Sequence, residues 1–210
     1  MRLRPFRFLS LALVFAFGLA GLATVAFAFE NSLTADAIRN AYFIATGSPA
    51  KRTDFFSTYV HHLTAPDVGP NISSVELETP FANVVQQISD HSLNMRAPDA
   101  VQDFYGKPVA FQVRVVVDFT PTYPAPATTA MQLGDFWNDF EIHLTQGSEI
   151  SPIGVHGTPI LSDLTMSGYI GAVVVADYNP AEIQSGPATV VVTGPDGARA
   201  ETSFDLSDLR

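Results

Sequence analysis

The stretch Val109-Ala110-Phe111-Gln112-Val113-Arg114-Val115-Val116-Val117-Asp118-Phe119 constrains this chain more than any other. Its odd positions (Val109, Phe111, Val113, Val115, Val117, Phe119) are all apolar. Its even positions carry Gln112, Arg114 and Asp118, interrupted by Ala110 and Val116. A period of two sends one set of side chains into a core and the other toward water, so the segment predicts a half-buried strand.

The start of the chain is of another kind. Arg2, Arg4 and Arg7 form a basic head, followed from Phe8 by an apolar run that meets no charge until Glu30. Ala26-Phe27-Ala28 places small residues where a signal peptidase reads them, which predicts a signal peptide over residues 1–28. The rival reading is an uncleaved anchor through residues 8–28, since about 20 apolar residues span a bilayer as a helix. Either way the expectation is an exported protein, periplasmic or secreted, touching a membrane only if the leader stays. Removing residues 1–28 takes three arginines and no acid, which moves the formal charge from −10 to −13. A polyanion of that size is repelled by phosphate backbones, so no nucleic-acid partner is expected. The chain has no cysteine. Disulfides, thiol catalysis and thiolate metal sites are therefore excluded, and stability rests on the hydrophobic core.

In chain order, Leu33–Thr46 reads as a helix with Thr34 as cap and Gly47 as stop, and Thr53–Leu63 as a second, with Phe55, Phe56, Tyr59, Val60 and Leu63 at three- and four-residue steps. A short strand is expected over Ile72–Glu78. Thr79-Pro80 then opens an amphipathic helix carrying Phe81, Val84, Val85 and Ile88 and ending near His91. Pro98 opens a further short helix through Phe104. Beyond the central strand, Thr120–Asp135 is too rich in proline for a strand. Phe136–Thr145 alternates again, residues 150–161 suggest two edge fragments, and Tyr169–Tyr178, apolar on both faces, reads as a doubly covered strand. Ala188–Thr193 and Arg199–Asp205 flank Gly194-Pro195-Asp196-Gly197 and form a hairpin.

These elements predict an α+β fold: a helix-rich segment of three to four helices over residues 29–108, packed as one compact unit with an antiparallel, immunoglobulin-like β-sandwich over residues 109–210. The hallmark disulfide of such sandwiches is impossible here, so the likeness is architectural.

The sequence has no nucleophile elbow, no glycine-rich phosphate loop and no paired-histidine zinc helix. The sharpest constellation is Asp139, Glu141 and His143 at alternate positions of one expected strand, about 7 Å between neighbours. Carboxylate and imidazole suit a divalent ion or acid–base work, although charged residues are also what a soluble strand presents to water. Trp137, the one tryptophan, extends that row and offers a ring on which a sugar stacks, or else folds over the sheet edge. His61-His62 and Asp90-His91 sit where a helix C-terminus favours a protonated imidazole. His156 lies in a Gly/Pro-rich turn, and Asn71-Ile72-Ser73 fits a glycosylation sequon.

The leading functional expectation is an exported, non-catalytic binding or envelope-interaction protein with a protein or glycan partner and no cofactor. The alternatives are a metal-assisted hydrolase using Asp139, Glu141 and His143, and a carbohydrate-binding module centred on Trp137.

Overall fold

The computed structural model describes residues 33–91, 95–123, 136–162 and 169–210. The expected signal peptide over residues 1–28 and residues 124–135 of the proline-rich connection lie outside the described residues. The architecture is mixed α+β, with four α-helices and nine strands in two antiparallel sheets among the described residues. The order is α1 (Ala35–Ala45), α2 (Pro49–Ser57), β1 (Val60–His62), β2 (Asn71–Glu78), α3 (Pro80–His91), α4 (Ala97–Phe104), β3 (Phe111–Asp118), a 3-10 turn (Phe136–Asp139), β4 (Glu141–Gln146), β5 (Ser148–Ile150), β6 (Gly154–Leu161), β7 (Tyr169–Tyr178), a second 3-10 turn (Pro180–Glu182), β8 (Pro187–Thr193) and β9 (Arg199–Asp205).

The first sheet runs β1-β2-β3-β7-β6 and the second β5-β4-β8-β9. The central strand fulfils its pattern: from Phe111 to Asp118 its residues alternate strictly between buried and half-buried. Phe111, Val113, Val115 and Val117 join Leu77 of β2, Val174 of β7, and Ile142, Leu144, Val190 and Val192 of the second sheet in one hydrophobic cluster, so the two sheets share a core. The β8–β9 hairpin pairs from Pro187↔Asp205 to Thr193↔Arg199. Gly197 supplies the left-handed residue of its turn at φ +77°.

A second cluster holds the helices together. Ile38, Ala41 and Ala45 of α1 meet Phe81, Val84, Val85 and Ile88 of α3, with Ala100 of α4 and Val109. Thr34 caps α1 by accepting from Ala37 N, and Thr79 Oγ1 accepts from Ala82 N at the start of α3. Arg52 Nη1 donates to Ala45 O and Gly47 O, which clips α2 against the end of α1. The chain's last residue is tied back to this layer. Tyr59 Oη donates to Arg210 O and accepts from Arg210 N, and the Arg210 guanidinium lies 4.6 Å above the Phe81 ring.

Helices and strands do not separate along the chain as expected. β1 and β2 lie within residues 29–108, and β2 pairs with β3 along its whole length. The second helix is displaced as well. Ser48 and Pro49 start it four residues before Thr53, it ends at Ser57, and Val60–His62 leaves it to pair with β2. The helical spacing of Phe55, Phe56, Tyr59 and Val60 spans two different elements: Phe55, Phe56 and Tyr59 pack on the sheet core, whereas Val60 lies on the other face of β1 beside Glu76.

Candidate functional site

The structure divides the expected Trp137–Asp139–Glu141–His143 row. Phe136–Asp139 coils into a 3-10 turn, so β4 begins at Glu141 and Asp139 is exposed outside the strand. Glu141 and His143 do share the outer face of the second sheet. There His143 Nδ1 lies 2.6 Å from Glu149 Oε1 and its Nε2 lies 3.5 Å from Glu141 Oε2. The two carboxylates approach opposite edges of one ring, so they do not converge on a common point where an ion would sit. Among the described residues no group of three or more acid or histidine side chains is disposed to hold a metal. The Glu149 hydrogen bond raises the His143 pKa above its usual value, with Glu141 adding to it against a partial loss of hydration.

Trp137 lies elsewhere, half-buried against the shared core. Its ring atoms Cγ and Cδ2 stand 2.3 Å from where a Cβ on Gly157 of β6 would be. Gly157 pairs with Val174 on the inward side of β7, so the indole plugs the β6 side of the two-sheet core. On the opposite side His61, on β1 rather than at a helix end, packs against Phe204 of β9 at 4.4 Å between ring centroids. His91 does close a helix, with Nδ1 2.8 Å from Gln87 O. His156 lies 3.6 Å from Asp177 on the outer face of the first sheet. The sequon residue Asn71 opens β2, and its amide donates to Asp118 Oδ2.

The concentration of buried charge is on β2 and β3, where the sequence drew no site. Glu76 and Glu78 project from the outer face of β2, opposite Arg114 and Gln112 of β3 in register. Arg114 faces Glu76 directly, yet its closer partner is the diagonal Glu78: Nη1 to Oε1 is 2.7 Å, whereas Nε to Glu76 Oε2 is 3.9 Å. One guanidinium thus serves two carboxyls, and its Nε is buried without a hydrogen-bond partner. Glu78 is 2% exposed. Burial raises its pKa, opposed by Arg114 and reinforced by Asp90 of α3. Glu76 is pushed up to about 7, chiefly by burial and then by Glu78, with Arg114 acting against the shift. Burial sets this carboxyl near neutrality, where ion pairing alone would hold it low.

That carboxyl opens into a cleft of about 700 Å³ between α2, α3 and the outer face of β1 and β2. Phe56 and Val60 supply an apolar wall, and His62, Glu76, Gln86 and Asp90 supply the polar one. His62 pairs with Ser74 and so stands diagonal to Glu76, about 7 Å away. Arg52 lines the rim, its guanidinium already donating to the α1 carbonyls. The signal available in sequence was the pair of acids two apart on a strand, with an arginine on the polar side of the central strand. Their meeting depends on a register the sequence does not spell out.

Compared with known protein families, curated proteins and solved structures, the chain matches none of them.

Proposed function

We propose that this chain is an exported, non-catalytic binding protein on an immunoglobulin-like scaffold, and that its ligand is a small organic cation seated in the cleft above Glu76. The basic head, apolar run and Ala26-Phe27-Ala28 of the leader support export. Among the described residues no helix is long and apolar enough to cross a membrane. Strand order supports the scaffold. Lettering β2 to β9 as A, B, C, C′, D, E, F and G gives sheets A-B-E-D and C′-C-F-G, the immunoglobulin arrangement, with β1 added outside strand A.

The observation that carries the ligand class is the charge balance around Glu76. Glu76 and Asp90 line the cleft with Arg52 at its rim, and the Arg114 guanidinium beside Glu76 is committed to Glu78, which leaves one acid of the cleft without a cation. A ligand bringing one positive charge completes the balance, and its hydrocarbon part lies against Phe56 and Val60. Binding fits better than covalent catalysis because both serines of the cleft are turned to their own helices. Ser57 Oγ donates to Asp54 O and Ser89 Oγ to Val85 O.

Titration with butylamine and with lysine ethyl ester, followed by thermal shift and by amide NMR, tests the reading. The expected result is saturable stabilisation with shifts at Phe56 and Val60, weaker at about pH 5, where Glu76 is protonated, and lost in Glu76→Gln. Absence of binding by both amines, or equal binding by Glu76→Gln, overturns it.

A further inference from the structure

The other flank of α3 borders a second cleft of about 580 Å³ with different chemistry. Asn83 and Gln87 of α3, Asp103 and Phe104 of α4, and Gln112 and Asp177 from the outer face of β3 and β7 line it. Gln112 Nε2 donates to Asp177 Oδ1 at 2.7 Å, and Gln87 Nε2 donates to Asn83 Oδ1. Each of those amide groups keeps one N–H, and each acceptor oxygen keeps a lone pair. Asn83 is 5% exposed, and its Oδ1 accepts from Gln87 Nε2. It lines the cleft, so this bridged pair of amides is presented to whatever enters there.

We propose that this cleft binds a neutral polyhydroxylated ligand, the hydroxyl-bearing face of a sugar. A hydroxyl donates and accepts at once, and so does each bridged pair here, the amides of Gln87 and Asn83 and the amide of Gln112 with the carboxylate of Asp177. Asp103 and Asp177 repel an anion, and a purely apolar guest strands the amides. A cation is not called for either. Lys107 stands in the same cleft, and Asp177 is already engaged by Gln112 and approached by His156 Nδ1 at 3.6 Å. Phe104 and the exposed Ile153 offer the apolar patch on which the C–H face of a pyranose packs. The glycan partner expected at Trp137 thus has a better-matched seat here, independent of whether the first cleft takes an amine.

The test is NMR titration of ¹⁵N-labelled protein with maltose and with cellobiose, observing the side-chain amides of Asn83, Gln87 and Gln112. The expected result is saturable movement of these resonances with at least one sugar. Affinity falls about fivefold or more in Gln87→Ala and Asp177→Asn, whose backbone spectra otherwise match wild type. Amide resonances that move with neither sugar, or affinities unchanged in both variants, overturn the proposal.

Discussion

The indole of Trp137 occupies the space that any side chain on Gly157 would need: a Cβ there would stand 2.3 Å from Cγ and Cδ2 of the ring. Those atoms are near the root of the side chain, so relief needs a change of its χ1 rotamer or a shift of the 3-10 turn that carries it. Gly157→Ala is therefore expected to lever the indole out of the β6 side of the core. The cost is about 1–3 kcal/mol by overpacking. A red-shifted Trp137 emission together with a lower denaturation midpoint is the expected outcome, and an unchanged spectrum contradicts this account.

Glu76 gives the fold a pH dependence opposite to that of an ordinary salt-bridged acid. Its pKa rises from 4.5 to about 7 on folding, so within that window the folded chain holds the proton more tightly than the unfolded chain. Stability then falls as pH rises through the window, by up to about 3 kcal/mol for a shift of this size. Glu76→Gln removes this titration. Its melting temperature is expected to exceed that of wild type at about pH 8 and to match it at about pH 4.5. Thermal scans at both values decide the matter.

Arg114 is the cation that keeps Glu78 tolerable at 2% exposure. Arg114→Met retains much of the packing and strands the carboxyl, for an expected loss of about 3 kcal/mol at pH 8. The loss is smaller at pH 5, because burial already favours the protonated form of Glu78. Urea unfolding at the two values measures the difference, and equal losses would assign the role of Arg114 to packing alone.

On the second sheet, Glu149→Gln removes the strongest partner of the His143 imidazolium. The ring's NMR titration midpoint is expected to fall toward 6.5, the model-compound value. In the wild type the raised pKa stabilises the fold fully below about 6.5, and this contribution is lost as pH rises through the folded value. The ring is 38% exposed, so water screens the pair and only about 0.5 kcal/mol or less is at stake.

What the sequence made legible follows from how local each signal is. The 109–119 alternation, the Thr79-Pro80 helix start and the Gly194–Gly197 turn are each written in a few adjacent residues, and each element formed there. The Phe136–Thr145 alternation overreaches the strand because Asn138 breaks the apolar positions, the sign that the period of two stops before Glu141. β1 was hidden because its neighbours Phe55, Phe56 and Tyr59 mimic a helical stripe. The cleft above Glu76 was invisible for a different reason. Glu78 and Arg114 stand 36 residues apart and meet through strand register, a long-range relation that no window of adjacent residues encodes.

Glu78 and Gln112 are register partners, so the excursion through α3 and α4 leaves the sheet and rejoins it at adjacent points. In topological terms α3 and α4 form a graft on a hairpin, and the entropy of closing that hairpin changes only slowly with the graft's length. A different lobe could be spliced between β2 and β3 with the seam intact. The condition on any substitute is electrostatic, since it must roof Glu78 while leaving that buried carboxyl its Arg114 partner.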